Sequence, residues 1–411
     1  MTTDFLHGVE VINIDSGPHP IRTVKSSVIG LVGTAPEADD EAFPLNTPVI
    51  IAGSRTKAAK LGTKGTLPGG IASIFDQVGA VVVVVRVKDL TVTPSKPTKP
   101  GDKQNDAATD ASSTGKTVDK SGTTANIIGA VDAATGQYTG VQAFLAAESI
   151  VHVRPRILIA PGFSHLAEVA TALDTVAGRL RAVAIVDGPN TNDEAVKTYA
   201  TSLSASRLFL VEPKVKAWSA ADSATIEKPS SSYVAGLIAK TDSERGFWWS
   251  PSNQEIKGII GTARPIDFSL GDTSSRANIL NEGNIATIIH QNGYRLWGNR
   301  MLSSGAFINI QRTADTVADS IQRAHLWAVD RNITTTYIED VTEGVNNYLR
   351  ELKAQGAIID GKCWADPDLN QPSSIEKGAV YFDFDFTPNY PAERVTFRQH
   401  IVNDYLEELF S

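Results

Sequence analysis

The chain has 411 residues, of which 42% are apolar and 20% are charged. This is the balance of a globular protein large enough for two or three domains. The formal net charge of -8 lacks the basic character expected of a protein that wraps nucleic acid or adheres to an anionic membrane. The single cysteine, Cys363, excludes an internal disulfide, and we interpret it as a small, semi-buried apolar side chain.

The sequence predicts no membrane insertion. The densest apolar run, residues 80–87, is far shorter than the about 20 residues that a membrane-spanning helix needs. The first ten residues contain no basic stretch followed by an apolar one, so no secretory signal is apparent. We therefore expect the chain to fold in a cytoplasm.

Residues 1–24 are predicted to be an extended N-terminal arm. The run 5–14 is rich in β-forming side chains, and glycine and proline within 15–20 separate it from the next apolar stretch. Because a lone strand is not stable in water, this run must pair with another strand. The side chains that we expect to form this pairing are Val9, Val11, Ile12 and Ile14.

Residues 25–90 and 126–235 are predicted to form one α/β domain, because short β-branched runs alternate with helical patterns. Strands are predicted at 27–32, 48–52, 80–87, 156–160, 181–186 and 207–211. Helices are predicted at 54–61, 71–77, 141–147, 165–176 and 192–203. This order predicts parallel strands with right-handed crossovers. Residues 91–125 are rich in Ser, Thr, Pro, Lys and Asp, so we expect an exposed insertion there.

Residues 236–393 are predicted to form a second domain of mixed α and β structure. Apolar stripes predict helices at 314–329 and 337–355, and Gly356 suits the position after the second helix. The run 380–386 alternates strictly and predicts a strand whose wet face carries Asp383 and Asp385.

Residues 394–411 are predicted to be a C-terminal arm, which prolines at 388 and 391 isolate from the domain. Val395, Phe397 and Ile401 alternate with polar residues, as on a strand. Together these patterns predict a mixed α/β fold: a two-domain body with an exposed insertion and two β-arms that need partners.

A search for chemistry finds no complete site. The histidines are not spaced as a zinc pair, and no phosphate-binding loop is present, so we predict no metal and no cofactor. Ser164, His165 and Asp187 could form a hydrolase triad at the carboxyl ends of two strands. However, adjacent Ser and His side chains rarely bond in the required geometry, and helix capping by Ser164 is the simpler account. Asp383 and Asp385 could bind a cation, but a solvated face or a partner for basic groups of a neighbouring subunit is favoured.

Phe247, Trp248 and Trp249 form the most unusual local motif of the sequence. Such aromatic side chains could stack on a sugar or a base, but they are more typical of a core or a subunit interface.

Several long motifs resemble those of contractile tail sheath proteins of P2-like phages and R-type bacteriocins. They are SSYVAGLIAKTDSERGFWWSPSN at 231–253, IKGIIGTARPIDF at 256–268 and NEGNIATIIHQNGYRLWGN at 281–299. Residues 8–11, 27–36 and 391–395 add to the resemblance, which covers nearly the whole chain in order apart from 91–125. Within these motifs we expect Trp248, Trp249, Arg264 and Trp297 to serve the family's packing.

The resemblance implies a structural subunit without catalysis. Members of this family stack as hexameric rings around an inner tail tube, exchange their terminal arms between subunits, and shorten to drive the tube through a bacterial envelope. The implied partners are other copies of the chain, the tail tube protein, and the baseplate and tail terminator proteins, with no nucleic acid. The implied location is the virion tail, assembled in the cytoplasm of the bacterial host.

In such a sheath the domain 236–393 would face the tube. We expect the helix at 337–355 to contact it, because its polar side carries Glu339, Asp340, Glu343, Arg350 and Lys353. A solvated face explains that side equally well. Two alternative functions stay open: the sheath of an R-type bacteriocin or related contractile injection particle, and an α/β hydrolase that uses Ser164, His165 and Asp187.

Overall fold

The computed structural model describes residues 20–90, 120–219, 223–403, 405 and 409. The strands are β1 (Ile29–Thr34), β2 (Pro48–Ala52), β3 (Val81–Val87), β4 (Ile157–Ile159), β5 (Val183–Asp187), β6 (Leu208–Val211), β7 (Val215–Ser219), β8 (Ala224–Lys228), β9 (Gly261–Thr262), β10 (Ile285–His290), β11 (Tyr294–Trp297), β12 (Ile358–Ala365) and β13 (Phe382–Pro388). The α-helices are α1 (Arg55–Ala59), α2 (Thr66–Phe75), α3 (Lys120–Ile128), α4 (Ala147–Val151), α5 (Ala167–Leu180), α6 (Asp193–Ser202), α7 (Ser230–Arg245), α8 (Arg276–Glu282), α9 (Ile308–Ala324), α10 (Thr335–Ala354) and α11 (Pro372–Ile375). Two 3-10 helices cover Gly140–Ala146 and Leu326–Ala328.

Eight strands form a central sheet in the order β11-β10-β6-β5-β4-β1-β3-β2. The six inner strands run parallel, and the two edge strands, β11 and β2, run antiparallel to their neighbours. In the middle of the sheet Ile29 pairs with Val82 on one side and with Ile157 on the other. The inner strands are runs of buried apolar residues because helices cover both faces of the sheet. The predicted mixed α/β fold with a parallel sheet is therefore confirmed.

Helices α2 and α7 cover one face of the sheet, and α5, α6 and the 3-10 helix Gly140–Ala146 cover the other. Helix α7 packs against both the sheet and α2, and most of its residues are buried. Because it is buried nearly all around, its sequence lacks a one-sided apolar stripe, and periodicity does not predict it.

Two predicted boundaries are corrected by the structure. The helix expected at 71–77 begins earlier, at Thr66, because Pro68 is tolerated in a first helical turn and Leu67 is fully buried. Helix α3 begins at Lys120, inside the predicted insertion 91–125. Its Thr123 is buried, and Thr123 Oγ1 accepts the Leu90 N–H at 2.9 Å. This hydrogen bond joins residues 120–125 to the body. Residues 91–119 lie outside the described residues.

Helices α9 and α10 pack with the antiparallel pair β12–β13 around a separate apolar core. The helix predicted from 314 starts at Ile308, because buried polar side chains in its first turns interrupt the apolar stripe. Helix α10 agrees closely with the helix predicted at 337–355. Gly356 follows it with a φ of 74°, as predicted for the residue after the helix.

Buried ion pairs join α9 to the amino ends of the central strands. Arg156 and Arg181, which precede β4 and β5, both pair with Asp319, and Arg207, directly before β6, pairs with Asp315. Two aspartates of α9 thus fix this helix against three neighbouring strands, β4, β5 and β6.

The two predicted body domains share one sheet in the described part of the chain. Helix α7 spans the predicted division between residues 235 and 236, and β10 and β11 extend the sheet built by residues 29–211. A small three-stranded sheet, in the order β8-β7-β9, lies outside the central one. No helix among the described residues is both long enough and apolar enough to cross a membrane.

Candidate functional site: the β12–β13 hairpin and the C-terminal segment

The β12–β13 pair is a two-stranded antiparallel sheet in which Cys363 lies opposite Phe384. Isolated two-stranded sheets are marginal in water, so this one depends on its packing against α10. Cys363 is buried, as predicted, and burial raises the pKa of its thiol to about 11. The thiol is therefore protonated at neutral pH and serves packing rather than nucleophilic chemistry.

The outer edge of β12 is covered at its centre by a side chain of α10. The Asn346 side chain donates from Nδ2 to the Cys363 carbonyl at 3.0 Å and accepts the Cys363 N–H on Oδ1 at 2.7 Å. The amide thus imitates a neighbouring strand and satisfies both backbone groups. At this position another chain cannot add to β12 without displacing Asn346.

The outer edge of β13 is open. Because the backbone groups of Cys363 turn away from β13, the Cys363–Phe384 pair is a non-hydrogen-bonded pair of the ladder. The N–H and C=O of Phe384 therefore also point away from the hairpin. Among the described residues β13 pairs with β12 alone, so this edge offers free hydrogen-bonding groups to an added strand.

The two faces of β13 differ as the sequence predicts. Phe382 and Phe386 pack on the helical core, and Phe384 stacks on Phe386 with 6.5 Å between ring centroids. On the other face a hydrogen bond with the Asp366 carboxyl raises the pKa of Asp383, and Asp385 Oδ1 accepts the Lys362 N–H at 3.1 Å. No group of three or more metal-ligating side chains occurs among the residues described.

The C-terminal segment leaves its apolar side chains in water. Val395, Phe397 and Ile401 are 66%, 93% and 89% exposed, and residues 389–402 contain neither helix nor strand. The predicted β-pairing of this segment is between subunits, so it stays a prediction. An alternating apolar segment with this much exposure is typical of a chain that binds a partner.

Residues 1–19 of the predicted N-terminal arm, which include Val9, Val11, Ile12 and Ile14, lie outside the described residues. The last residues of the predicted arm, 20–24, are anchored on the same helical unit as the hairpin. Ile21 is buried in the core of α9, α10 and Phe247, and the Val24 N–H donates to Ser320 Oγ at 3.1 Å. Both termini therefore approach the body at the α9–α10 unit.

The side chains predicted to face the tube lie on one exposed side of α10. They are Glu339, Asp340, Glu343, Arg350 and Lys353. Arg350 pairs with Glu343, and Lys353 Nζ lies 2.7 Å from Asp360 Oδ2, which leaves Glu339 and Asp340 without an ion pair among the described residues.

The predicted family tryptophans are brought together, whereas Arg264 is elsewhere. Trp248, Trp249 and Trp297 line one groove together with the start of the C-terminal segment, residues 389–394. Trp248 also meets Phe247 edge-on, with 5.0 Å between ring centroids, which supports a packing role.

Arg264 neutralises a buried carboxylate at the carboxyl end of the sheet. Its Nη2 donates to Glu212 Oε1 at 2.9 Å, and its Nη1 donates to Asp193 Oδ1 at 2.7 Å. Glu212 is fully buried, and burial raises its pKa. Arg264 thus joins β6 to the start of α6 through ion pairs rather than through apolar contact, and its predicted role in the family's packing stays a prediction.

The hydrolase triad is not assembled. Ser164 Oγ donates to Asp187 Oδ2 at 2.9 Å, and both residues are buried. A catalytic serine instead needs a histidine partner and access to substrate. The predicted capping by Ser164 is wrong. Helix α5 begins at Ala167, and Ser164 Oγ accepts the Asp187 N–H instead.

Two functional features escape sequence reasoning. Nothing in the sequence connects Asn346 with the edge of β12, since the contact depends on how α10 packs. Glu393, which pairs with Arg300, lies inside the recognised 391–395 motif, but its partner is 93 residues away.

Comparison with known proteins places these features in a family. Three family models match: the phage tail sheath protein central domain at 136–301, the phage tail sheath C-terminal domain at 303–402, and the tail sheath protein Gp18 domain III N-terminal region at 26–87. A putative prophage major tail sheath protein of Pseudomonas aeruginosa (strain UCBPP-PA14) is 45% identical over 409 residues, covering 98% of each chain. The tail sheath protein of Escherichia phage P2 is 39% identical over 412 residues, covering 99% of this chain and 98% of its own.

The fold is also shared with solved structures of low identity. The PVC sheath complex of an extracellular contractile injection system, in the contracted state, matches with a TM-score of 0.66 and 17% identity over 98% of this chain and 99% of its own. A chain of the anti-feeding prophage baseplate matches with a TM-score of 0.64 and 15% identity over 97% of this chain and 100% of its own. The resemblance stated from the sequence is confirmed: the chain belongs to the phage tail sheath protein family.

Proposed function

We propose that this tail sheath protein polymerises with copies of itself, as stacked hexameric rings around an inner tube. The polymer contracts and drives the tube through a bacterial envelope. Membership of the family supports the sheath role. One structural observation carries self-assembly: the same chain has both an open β13 edge and a solvent-exposed C-terminal segment with alternating apolar side chains.

The C-terminal arm of one subunit adds to β13 of another. The arm supplies Val395 and Phe397 for the apolar face of β13, and it carries Arg394 and Arg398 on its other face. The positive charge of these arginines complements the negative charge of Asp383 and Asp385 on the other face of β13. Strand addition also satisfies the backbone groups that the single chain leaves open on this edge.

The N-terminal arm links subunits in the same manner through residues 1–14. Its anchoring point at Ile21 lies on the α9–α10 unit that carries the hairpin. Two arms on one rigid body give each subunit two tethers. A lattice linked in this way keeps its neighbours while subunits slide and rotate, so contraction need not break the polymer.

The remaining partners follow from the place of a sheath in a tail. The exposed side of α10 faces the tail tube protein through Glu339 and Asp340. Baseplate and tail terminator proteins bind the two ends of the polymer, and the occurrence of this fold in a baseplate structure supports the first of these contacts. We assign the virion tail as the site of action and the host cytoplasm as the place of assembly.

We assign the protein no catalytic role and no cofactor. The free energy for contraction is then stored in the assembled lattice, as a metastable packing that relaxes to a more stable one. The buried Ser164–Asp187 hydrogen bond supports this view, because it engages the serine of the alternative hydrolase triad with the carboxylate rather than with a histidine.

Electron microscopy of the purified chain tests the proposal. At high concentration the full chain should form tubes or contracted sheaths, whereas a chain lacking residues 1–14 and a chain lacking residues 394–411 should stay folded but unassembled. Circular dichroism and thermal melting serve as the folding control. Normal tubes from both truncated chains would contradict the role of the arms, and a full chain that stays monomeric at every concentration would contradict self-assembly.

A further inference from the structure

Within the described residues, the polar contacts of the C-terminal segment with the body extend to Glu393 and end there. Asn389 Nδ2 donates to the Gly356 carbonyl at 2.6 Å, and the ring of Tyr390 meets Phe307 edge-on at 6.2 Å between centroids. From Arg394 onward the described residues make no hydrogen bond or ion pair with one another or with the rest of the described chain. The change from held to free chain therefore falls directly after Glu393.

The last attachment is a bidentate ion pair with Arg300. Arg300 Nε lies 2.9 Å from Glu393 Oε1, and Arg300 Nη2 lies 2.5 Å from Oε2. Two parallel N–H···O bonds fix the direction of a carboxylate as well as its position, which a single contact with a lysine would not do.

Arg300 is itself held in place by the body. Its Nη1 donates to the Gly305 carbonyl at 2.6 Å, and its guanidinium lies over the Phe307 ring at 4.3 Å from the centroid. A bridge between the backbones of Arg300 and Phe307 closes the turn that presents both side chains. The guanidinium is thus positioned by contacts that do not involve the C-terminal segment.

We propose that the Arg300–Glu393 pair is the positioning contact of the C-terminal arm. It sets the direction in which residues 394–401 leave one subunit, so that they reach the β13 edge of a second copy. A segment held at its base has fewer orientations to lose when it pairs, and this lowers the entropic cost of assembly. This inference rests on the proposed function and specifies which residues direct its arm.

A double-mutant cycle on assembly tests the inference. The variants are Glu393→Gln, Arg300→Gln and the two combined, and the readout is the lowest protein concentration that gives sheaths by sedimentation and electron microscopy. Each single variant should raise this threshold roughly two- to fivefold, as expected for a partly exposed ion pair. The combined variant should raise it no further, because either change alone removes the pair. Arg300→Lys should give an intermediate threshold, since a lysine keeps the charge but loses the bidentate geometry.

Glu37→Gln is the matched control, because Glu37 also pairs with a basic side chain and is similarly exposed, at 38% against 41% for Glu393. It should leave the threshold unchanged. Additive effects of the two single variants would overturn the inference, since they would show that each residue contacts the neighbour independently. An unchanged threshold in Glu393→Gln would overturn it as well. The absence of sheaths from the unaltered chain would instead contradict the proposed function, so the two failures are distinguishable.

Discussion

Asp187 is a buried carboxylate whose contacts hold the start of helix α7. Its Oδ1 accepts the Ser231 N–H at 2.8 Å, and its Oδ2 accepts the hydroxyls of Ser231 and Ser164 at 2.6 and 2.9 Å. The carboxylate thus ends β5 and caps the first turn of α7, so it joins a strand to the helix that covers it.

Replacing Asp187 should destabilise the subunit without touching a surface. We expect Asp187→Ala to lower the free energy of unfolding by about 2–4 kcal/mol, because it leaves a buried N–H and two hydroxyls without an acceptor. Urea denaturation of the unassembled chain measures this. Ser164→Ala removes one donor to the carboxylate and the acceptor of the Asp187 N–H but leaves the cap of α7 intact, so it should lose less, about 1 kcal/mol. Equal losses in the two variants would show that the carboxylate is not the central group.

The same carboxylate predicts a pH dependence. Burial raises the pKa of Asp187 above its ordinary value, so the folded protein favours the neutral form more than the unfolded chain does. The stability that this preference contributes is present in acid and is lost as the pH rises through the raised pKa. Comparison with Asp187→Asn, which cannot ionise, isolates it. The wild-type advantage in free energy of unfolding should be largest at acid pH and decline toward neutrality, and an advantage that grows with pH would contradict the assignment.

The buried carboxylate of Glu212 depends on Arg264 to compensate its charge. Glu212 is fully buried, so Arg264→Leu should cost about 3 kcal/mol by leaving an uncompensated charge in the interior. The double variant with Glu212→Leu should recover most of that loss, because an apolar pair of similar size replaces the ions. Thermal or urea unfolding of the three variants measures the recovery. A double variant less stable than Arg264→Leu would show that Glu212 matters mainly through its bond to the Asn190 N–H.

At the scale of elements, β13 and the C-terminal arm make a prediction about charge. Arg394 and Arg398 make no bond within the described chain, so Arg394→Glu with Arg398→Glu should leave the monomer's melting temperature unchanged. Assembly should need at least about tenfold more protein, because like charges then face Asp383 and Asp385 of the neighbour. Adding Asp383→Lys and Asp385→Lys should restore assembly.

The control for this swap keeps the change in net charge and moves it off the arm. Lys60→Glu with Lys64→Glu alters the body by the same amount and should assemble normally. If that control fails as completely as the arm variant, repulsion between whole subunits explains the result, and the paired faces do not.

The sequence predicts elements well where one face is apolar, and poorly where burial is complete or contacts are distant. The β-branched run at 80–87 and the strict alternation at 380–386 are both found as strands, at Val81–Val87 and Phe382–Pro388. Helix α7 has no such pattern because it is buried nearly all around. The alternation of β13 is a local pattern that the sequence shows directly. That β13 is the open edge of the hairpin follows from the cover of β12 by Asn346, which depends on how α10 packs.

At the scale of the whole molecule, the buried ion pairs between the strand ends and α9 join the central sheet to the unit that carries both arms. Asp319 is almost fully buried and meets Arg156 and Arg181, while Asp315 meets Arg207. A further buried pair, Arg312 with Asp242, ties α9 to α7. The contraction proposed above, in which subunits move as rigid bodies, requires such a junction, because a force on a terminal arm would have to reach the sheet without bending the chain between them.

Breaking this junction should uncouple the two parts. In the variant Asp315→Ala with Asp319→Ala, three arginines lose their buried partners. The broken pairs of the mostly buried Arg156 and Arg207 should cost about 3 kcal/mol each, and that of the partly exposed Arg181 should cost less. We expect one cooperative calorimetric transition for the unaltered chain and two for the variant, with the α9–α10 unit melting first because its core is the smaller. Glu343→Ala, which removes an exposed pair on α10, should cost less than about 1 kcal/mol and keep a single transition. If the double variant also melts in one step, apolar contact rather than charge couples the parts, and the arms draw their rigidity from the packing of α9 alone.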